Sequence, residues 1–112
     1  MQVYEMKLKS QPFAQIKAGK KRVELRLYDE KRRKIKGGDI VRFTEVERGE
    51  TLLVKVTAVR VFTGFKELYA AYEKTELGYR EDEVASPKDM EQYYPAEEIE
   101  AFGAVGIEIE LL

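Results

Sequence analysis

Gly19-Lys20-Lys21-Arg22-Val23-Glu24-Leu25-Arg26-Leu27-Tyr28 changes its period at the glycine. Before it, Phe13, Ile16 and Lys17 follow one another at helical spacing. Ser10 offers N-cap chemistry, and Pro12 falls in the first turn, where its missing N–H costs little. Gly19 has the residue type that ends a helix in the left-handed conformation. From Arg22 to Tyr28 the period becomes two, with Val23, Leu25 and Leu27 on one face and Arg22, Glu24, Arg26 and Tyr28 on the other. The segment therefore predicts a short helix over 10–18 feeding a half-buried strand with a charged face.

Outward from this junction the alternation recurs. Val3–Leu8, Ile40–Val46, Thr51–Phe62 and Ala104–Leu112 read as strands, and Arg48-Gly49-Glu50 as the turn of a central hairpin. Asp29–Lys36 is a charged connector that leads into the turn Gly37-Gly38-Asp39. Gly64–Glu73 places Phe65, Leu68, Tyr69 and Tyr72 on one helical stripe, which assigns these tyrosines to the core. Pro87–Tyr94, with Ser86 before it, reads as a further helix, and Pro95–Phe102 as a short acidic turn or helix. Five strands with helices inserted at two points predict an α+β, barrel-like fold of five to six mostly antiparallel strands with two to three short helices. The 112 residues are expected to form a single domain, 1–112.

Composition narrows the chemistry. There is no cysteine and no histidine, which excludes disulfides, thiolate metal sites, histidine-based triads and most zinc hydrolases. Neither a metal nor a cofactor is expected. No apolar run reaches the ~18 residues of a membrane span, and the first residues lack a signal-peptide core, so a cytoplasmic, monomeric protein is expected. The charged fraction of 37%, rich in Lys and Glu, resembles the composition of hyperthermophile proteins.

The net charge of −1 hides a strong polarity. Residues 17–36 hold ten basic and three acidic side chains, whereas 37–112 hold eight basic and seventeen acidic. Such a field draws a polyanion to one end of the molecule. Lys20 and the run Lys31, Arg32, Arg33, Lys34 and Lys36 are the candidates for phosphate contacts through counterion release. A solubilising loop accounts for the same run equally well. On the predicted strand, Glu24 and Arg26 can pair across ~7 Å or hold a ligand between them. A carboxylate among cations accepts from a base amine or a ribose hydroxyl, and guanidinium groups suit phosphate or a carbonyl edge. The plain alternative is a solvated outer face whose cross-strand pairs contribute a few tenths of a kcal/mol.

The run Gly19-Lys20-Lys21-Arg22-Val23-Glu24-Leu25-Arg26 fits the pattern G-x-K-x-x-E-x-R. In it the chain resembles the ASCH-domain family of the PUA-like superfamily of small β-barrels. Gly38-Asp39-Ile40-Val41, Val56-Thr57-Ala58, Tyr93-Tyr94-Pro95 and Phe102-Gly103-x-Val105-Gly106-Ile107-x-Ile109 extend the likeness over nearly the whole chain. The resemblance implies RNA or a (modified) nucleoside as partner, held by Gly19, Lys21, Arg22, Glu24 and Arg26. One branch of the family looks like an amidohydrolase that deacetylates N4-acetylcytidine with a Lys, a Thr and a Glu. Lys21 matches that lysine, while Glu24 stands where the threonine would be, so Lys21 with Glu24 or Glu76 as base is the catalytic variant to consider. The acidic cluster Glu76, Glu81, Asp82 and Glu83 would then supply a second carboxylate. A protein-interaction adaptor using the acidic second half is the third reading. Tyr93 and Tyr94 read as packing residues that could border a pocket.

Overall fold

The computed structural model of the protein describes residues 1–112. Alternating segments become the strands β1 (Val3–Leu8), β2 (Val23–Leu27), β3 (Ile40–Glu45), β4 (Thr51–Phe62) and β5 (Ala104–Leu111). The helices are α1 (Ser10–Lys17), α2 (Phe65–Ala71) and α3 (Ala96–Phe102), with 3-10 segments at Arg32–Lys34 and Pro87–Gln92. The segment expected as a helix after Ser86 is thus a 3-10 helix, with Pro87 at its start and the Ser86 side chain accepting from the Lys88 N–H. No helix is long and apolar enough to cross a membrane.

The five strands form one mixed sheet in the order β1-β3-β4-β5-β2. β3–β4, β4–β5 and β5–β2 are antiparallel, while β1 runs parallel to β3 with Val3 opposite Ile40 and Leu8 opposite Glu45. A register shift between Val56 and Ala58 in β4 adds the local bend that a β-bulge gives, and the sheet curls into a half-barrel. This is the α+β, PUA-like architecture that the sequence implied.

Two apolar clusters lie on opposite faces of the sheet. Inside the curl, Met6, Val41, Phe43, Val54, Val56 and Ile107 pack with Phe13 and Ile16 of α1. Outside, Val23, Leu25 and Ala104 meet Phe65 and Leu68 of α2, together with Leu77 and Met90. Each fully buried large apolar side chain contributes about 1.5–3 kcal/mol. β2 is consequently covered on both faces. Its charged face is turned inward and closed over, rather than solvated.

β1 and β2 are the two edges of the sheet, and α1 connects them. Ser10 is the first residue of α1 and not its cap; Lys9 takes the N-cap position with no side-chain cap bond. At the other end, Gly19 (φ 77°) donates to Ile16 O and Lys20 to Gln15 O, both at 2.9 Å. That is the two-bond helix terminator in which glycine alone escapes the Cβ penalty. The Lys21 N–H also reaches Gln15 O at 3.1 Å, so the helix end sets where the lysine enters β2.

Candidate functional site at the barrel seam

The edges β1 and β2 do not pair with each other, and a cleft of about 620 Å³ opens where they face. Glu24 sits at its floor because its neighbour on β5 is Ile107, a residue of the barrel interior. A carboxylate in that position needs cations. Lys21 Nζ lies 3.0 Å from Oε1 and Arg26 Nε 2.6 Å from Oε2. The three side chains are only 10%, 4% and 14% exposed for Lys21, Glu24 and Arg26. Arg26 Nη2 donates to Lys7 O at 2.9 Å, which ties β2 to β1 across the seam.

The electrostatics follow from this geometry. Burial by itself raises the Glu24 pKa, but the charges of Lys21 and Arg26 and their hydrogen bonds outweigh it and hold the carboxyl below the ordinary range. Burial likewise works against the Arg26 charge, and Glu24 with the Tyr94 hydroxyl more than offsets it, so that pKa is raised.

The facing wall comes from residues 69–94. The Tyr69 and Tyr79 hydroxyls meet at 2.8 Å, and Tyr79 donates to Asp89 Oδ2 at 2.7 Å. Burial first, then these contacts, pushes the Tyr79 phenol far up, and burial raises Tyr69. Neither ionises near neutrality, so the wall is an array of neutral rings. Tyr94 stacks on Phe65 with ring centroids 6.1 Å apart, and Tyr93 lies at the rim with Lys9 Nζ 5.3 Å from its ring centroid. Gly78 (φ 101°) lets the wall close on the lysine stem, since a Cβ there would sit 2.9 Å from Lys21 Cδ.

The structure therefore brings Lys21, Glu24 and Arg26 together in the cleft and places other candidates away from Glu24 and Arg26. Arg22 was expected on the Glu24 face, but it precedes β2. The Arg22 and Val23 N–H groups both bond to Glu76 O, at 2.9 and 3.0 Å, which breaks the alternation there. Gly19, Arg22 and Glu76 line a second groove of about 380 Å³ together with Thr57 and Glu108, and Lys21 lines that groove as well as the cleft. Lys20 lines neither. Of the acidic cluster, Glu83 reaches the cleft, whereas Glu76 accepts from the Glu73 N–H outside it. Three or more acidic side chains do not gather anywhere as a metal-binding group.

The polybasic run is split by its own apolar member. Ile35 is buried in the core and Tyr4 donates to Lys34 O at 3.0 Å, so the run is an anchored 3-10 turn. Arg32 pairs with Asp29 at 2.6 Å and borders the cleft. Arg33 lies over the Tyr28 ring at 4.8 Å. Lys31, Lys34 and Lys36 point to solvent with no ion-pair partner.

Sequence reasoning missed Gly78, Asp89, Lys7 of β1 and Lys9 at the start of α1. Tyr69, read as core, does pack half-buried against the outer apolar cluster, and it also lines the cleft. The Tyr93-Tyr94 pair was the one available signal.

The sequence profile of the ASCH domain matches residues 6–112. None of the curated proteins is similar to the chain. Among solved structures, the crystal structure of a hypothetical protein is 40% identical, with a TM-score of 0.83 and 100% of each chain covered. The solution NMR structure of a protein from Pyrococcus furiosus is 38% identical, with a TM-score of 0.70, over 98% of this chain and 97% of that one. The motif, the half-barrel and the profile agree: the chain belongs to the ASCH domain family.

Proposed function

We propose that the seam cleft binds RNA by admitting one nucleobase between the Lys21–Glu24–Arg26 floor and the tyrosine wall. The supporting observation is that floor. Glu24 carries one cation on each oxygen and keeps lone pairs for a base amine, while the Lys21 ammonium retains N–H groups for a ring nitrogen or carbonyl. Both partners are nearly dry, so a mismatched group left unpaired against them costs about 1–3 kcal/mol. The aromatic wall suits a flat ring, and the lysines of the 31–36 turn suit a phosphate backbone. The RNA-linked roles suggested for the ASCH family favour this ligand class over a protein partner.

Hydrolysis of an acylated cytidine stands second. Lys21 and Glu24 are in contact, as a hydrolytic pair would need to be. The cleft lining contains no serine or threonine, so water would have to be the attacking group there, whereas in the second groove Thr57 shares the lining with Lys21 and Glu76.

The test is titration of the protein with nucleosides and short RNA, beside an assay for cytidine released from N4-acetylcytidine. Lys21→Met is expected to weaken binding by about tenfold or more, the scale of one charged hydrogen bond. Turnover by the wild type that disappears in Lys21→Met would favour the hydrolase. Absence of both binding and turnover refutes the assignment and leaves the adaptor.

A further inference from the structure

Tyr93 and Tyr94 are consecutive and take opposite roles. Both N–H groups bond to Met90 O at 3.1 Å, and Met90 is itself buried, so the turn that carries them is anchored. Tyr94 points inward, half-buried and stacked on Phe65. Tyr93 stays 52% exposed at the rim of the cleft and pairs with no protein ring. A tyrosine that gains so little from burial is an unused apolar surface on a fixed backbone. The Lys9 ammonium lies 5.3 Å from its ring centroid. Lys9 too is on a fixed backbone, as the N-cap residue of α1.

The charge of the cleft has a direction. Lys7, Lys9, Arg26 and Arg32 border it on the β1–β2 side, and Glu83 and Asp89 on the tyrosine side. A nucleic acid strand entering here is drawn with its phosphates toward β1 and its bases toward the tyrosines.

Building on the RNA reading above, we propose that Tyr93 is a stacking platform for the nucleotide next to the one in the cleft, with Lys9 facing its phosphate. The natural ligand is then a single strand rather than a free nucleoside. Bases of a duplex are already stacked on one another and cannot cover the ring.

The experiment compares a short mixed-sequence RNA strand, the same strand annealed to its complement, and the four nucleosides singly. Strand binding is read by fluorescence anisotropy and nucleoside binding by NMR titration. Tyr93→Ala is expected to weaken the single strand by about 5- to 100-fold, the range of one base–aromatic stack, and to leave nucleoside affinity unchanged. Tyr93→Phe should bind as the wild type does. Lys9→Ala should weaken the strand less and make its salt dependence shallower. Because the ring is half exposed, unchanged thermal melting verifies that each variant is folded.

Unchanged strand affinity in Tyr93→Ala overturns the platform. Equal losses for strand and nucleoside also overturn it, by placing Tyr93 inside the base site. A wild type that binds nucleosides but holds the single strand no tighter, or the duplex as tightly, overturns it while the base cleft stands. A wild type that binds neither nucleosides nor RNA removes the underlying reading as well.

Discussion

Glu24→Gln removes one negative charge from between two cations and changes little else in shape. In the wild type the carboxylate is 4% exposed and holds Lys21 at 3.0 Å and Arg26 at 2.6 Å. Breaking a buried pair from one side costs about 3–5 kcal/mol, because the partner charge stays desolvated and unpaired. Two features reduce this figure. Arg26 keeps its bond to Lys7 O, and Lys21, 10% exposed, can turn toward the water in the cleft. We expect a loss of about 2–4 kcal/mol, which at ~4 °C per kcal/mol for a chain of this length lowers the melting temperature by ~8–16 °C. Calorimetry or circular dichroism at pH 7 reads it. Lys21→Met combined with Glu24→Gln should be less destabilised than the two single losses added together, since the double variant leaves one cation fewer uncompensated. Acid gives a second signature. The folded pKa of Glu24 lies below the unfolded value near 4.5, so its stabilisation is complete above that pH and fades as the pH falls through the lower folded value. The gap between wild type and Glu24→Gln should therefore narrow in acid. A melting temperature within ~3 °C of wild type, with a constant gap down to low pH, would refute the claim that this carboxylate holds the floor of the cleft together.

Other outcomes follow from the same geometry. Replacing Lys31, Lys34 and Lys36 by Ala should reduce the slope of log affinity against log salt by about 0.7 for every phosphate no longer neutralised, with little change in melting, because none of the three is paired in the fold. Arg32→Ala should do the reverse and cost mainly stability, since Arg32 is bound to Asp29. Gly78→Ala forces a Cβ to 2.9 Å from Lys21 Cδ at a φ of 101°, so we expect a loss of about 1–2 kcal/mol together with weaker nucleoside binding. Asp39 accepts from the Gln2 and Lys36 N–H groups, which hold its carboxyl below the ordinary range. Its contribution is present above about pH 4 and lost as the pH falls. Asp39→Ala should abolish that loss and speed amide exchange at Ile40, whose N–H bonds to Gln2 O.

Much of this protein was legible in the chain itself. Strand alternation and the helix-ending Gly19 are local: they follow from side-chain period and backbone sterics, and the corresponding elements formed within a residue or two of expectation. The G-x-K-x-x-E-x-R run holds the three side chains that meet in the cleft, because Lys21, Glu24 and Arg26 are brought to one place by a single turn and a single strand. What the chain could not show is which face of that strand is covered. A period of two distinguishes the faces, but both faces of β2 are enclosed, one by α2 and the other by the curl of the sheet onto α1. That enclosure converts an ordinary charged face into a nearly dry ion triad. Arg22 and Glu76 escaped the pattern for a related reason: two consecutive N–H groups share one carbonyl from a loop more than fifty residues away, and no local rule anticipates that bond. The tyrosine wall is likewise tertiary. Residues 69, 79 and 89 face the lysine only because β5 carries the chain back between β4 and β2, leaving the inserted segment 63–103 folded over the open seam. Local physics wrote the elements and the motif. The curl of the sheet decided that the motif lies at the floor of a cleft, and the inserted segment decided which residues face it.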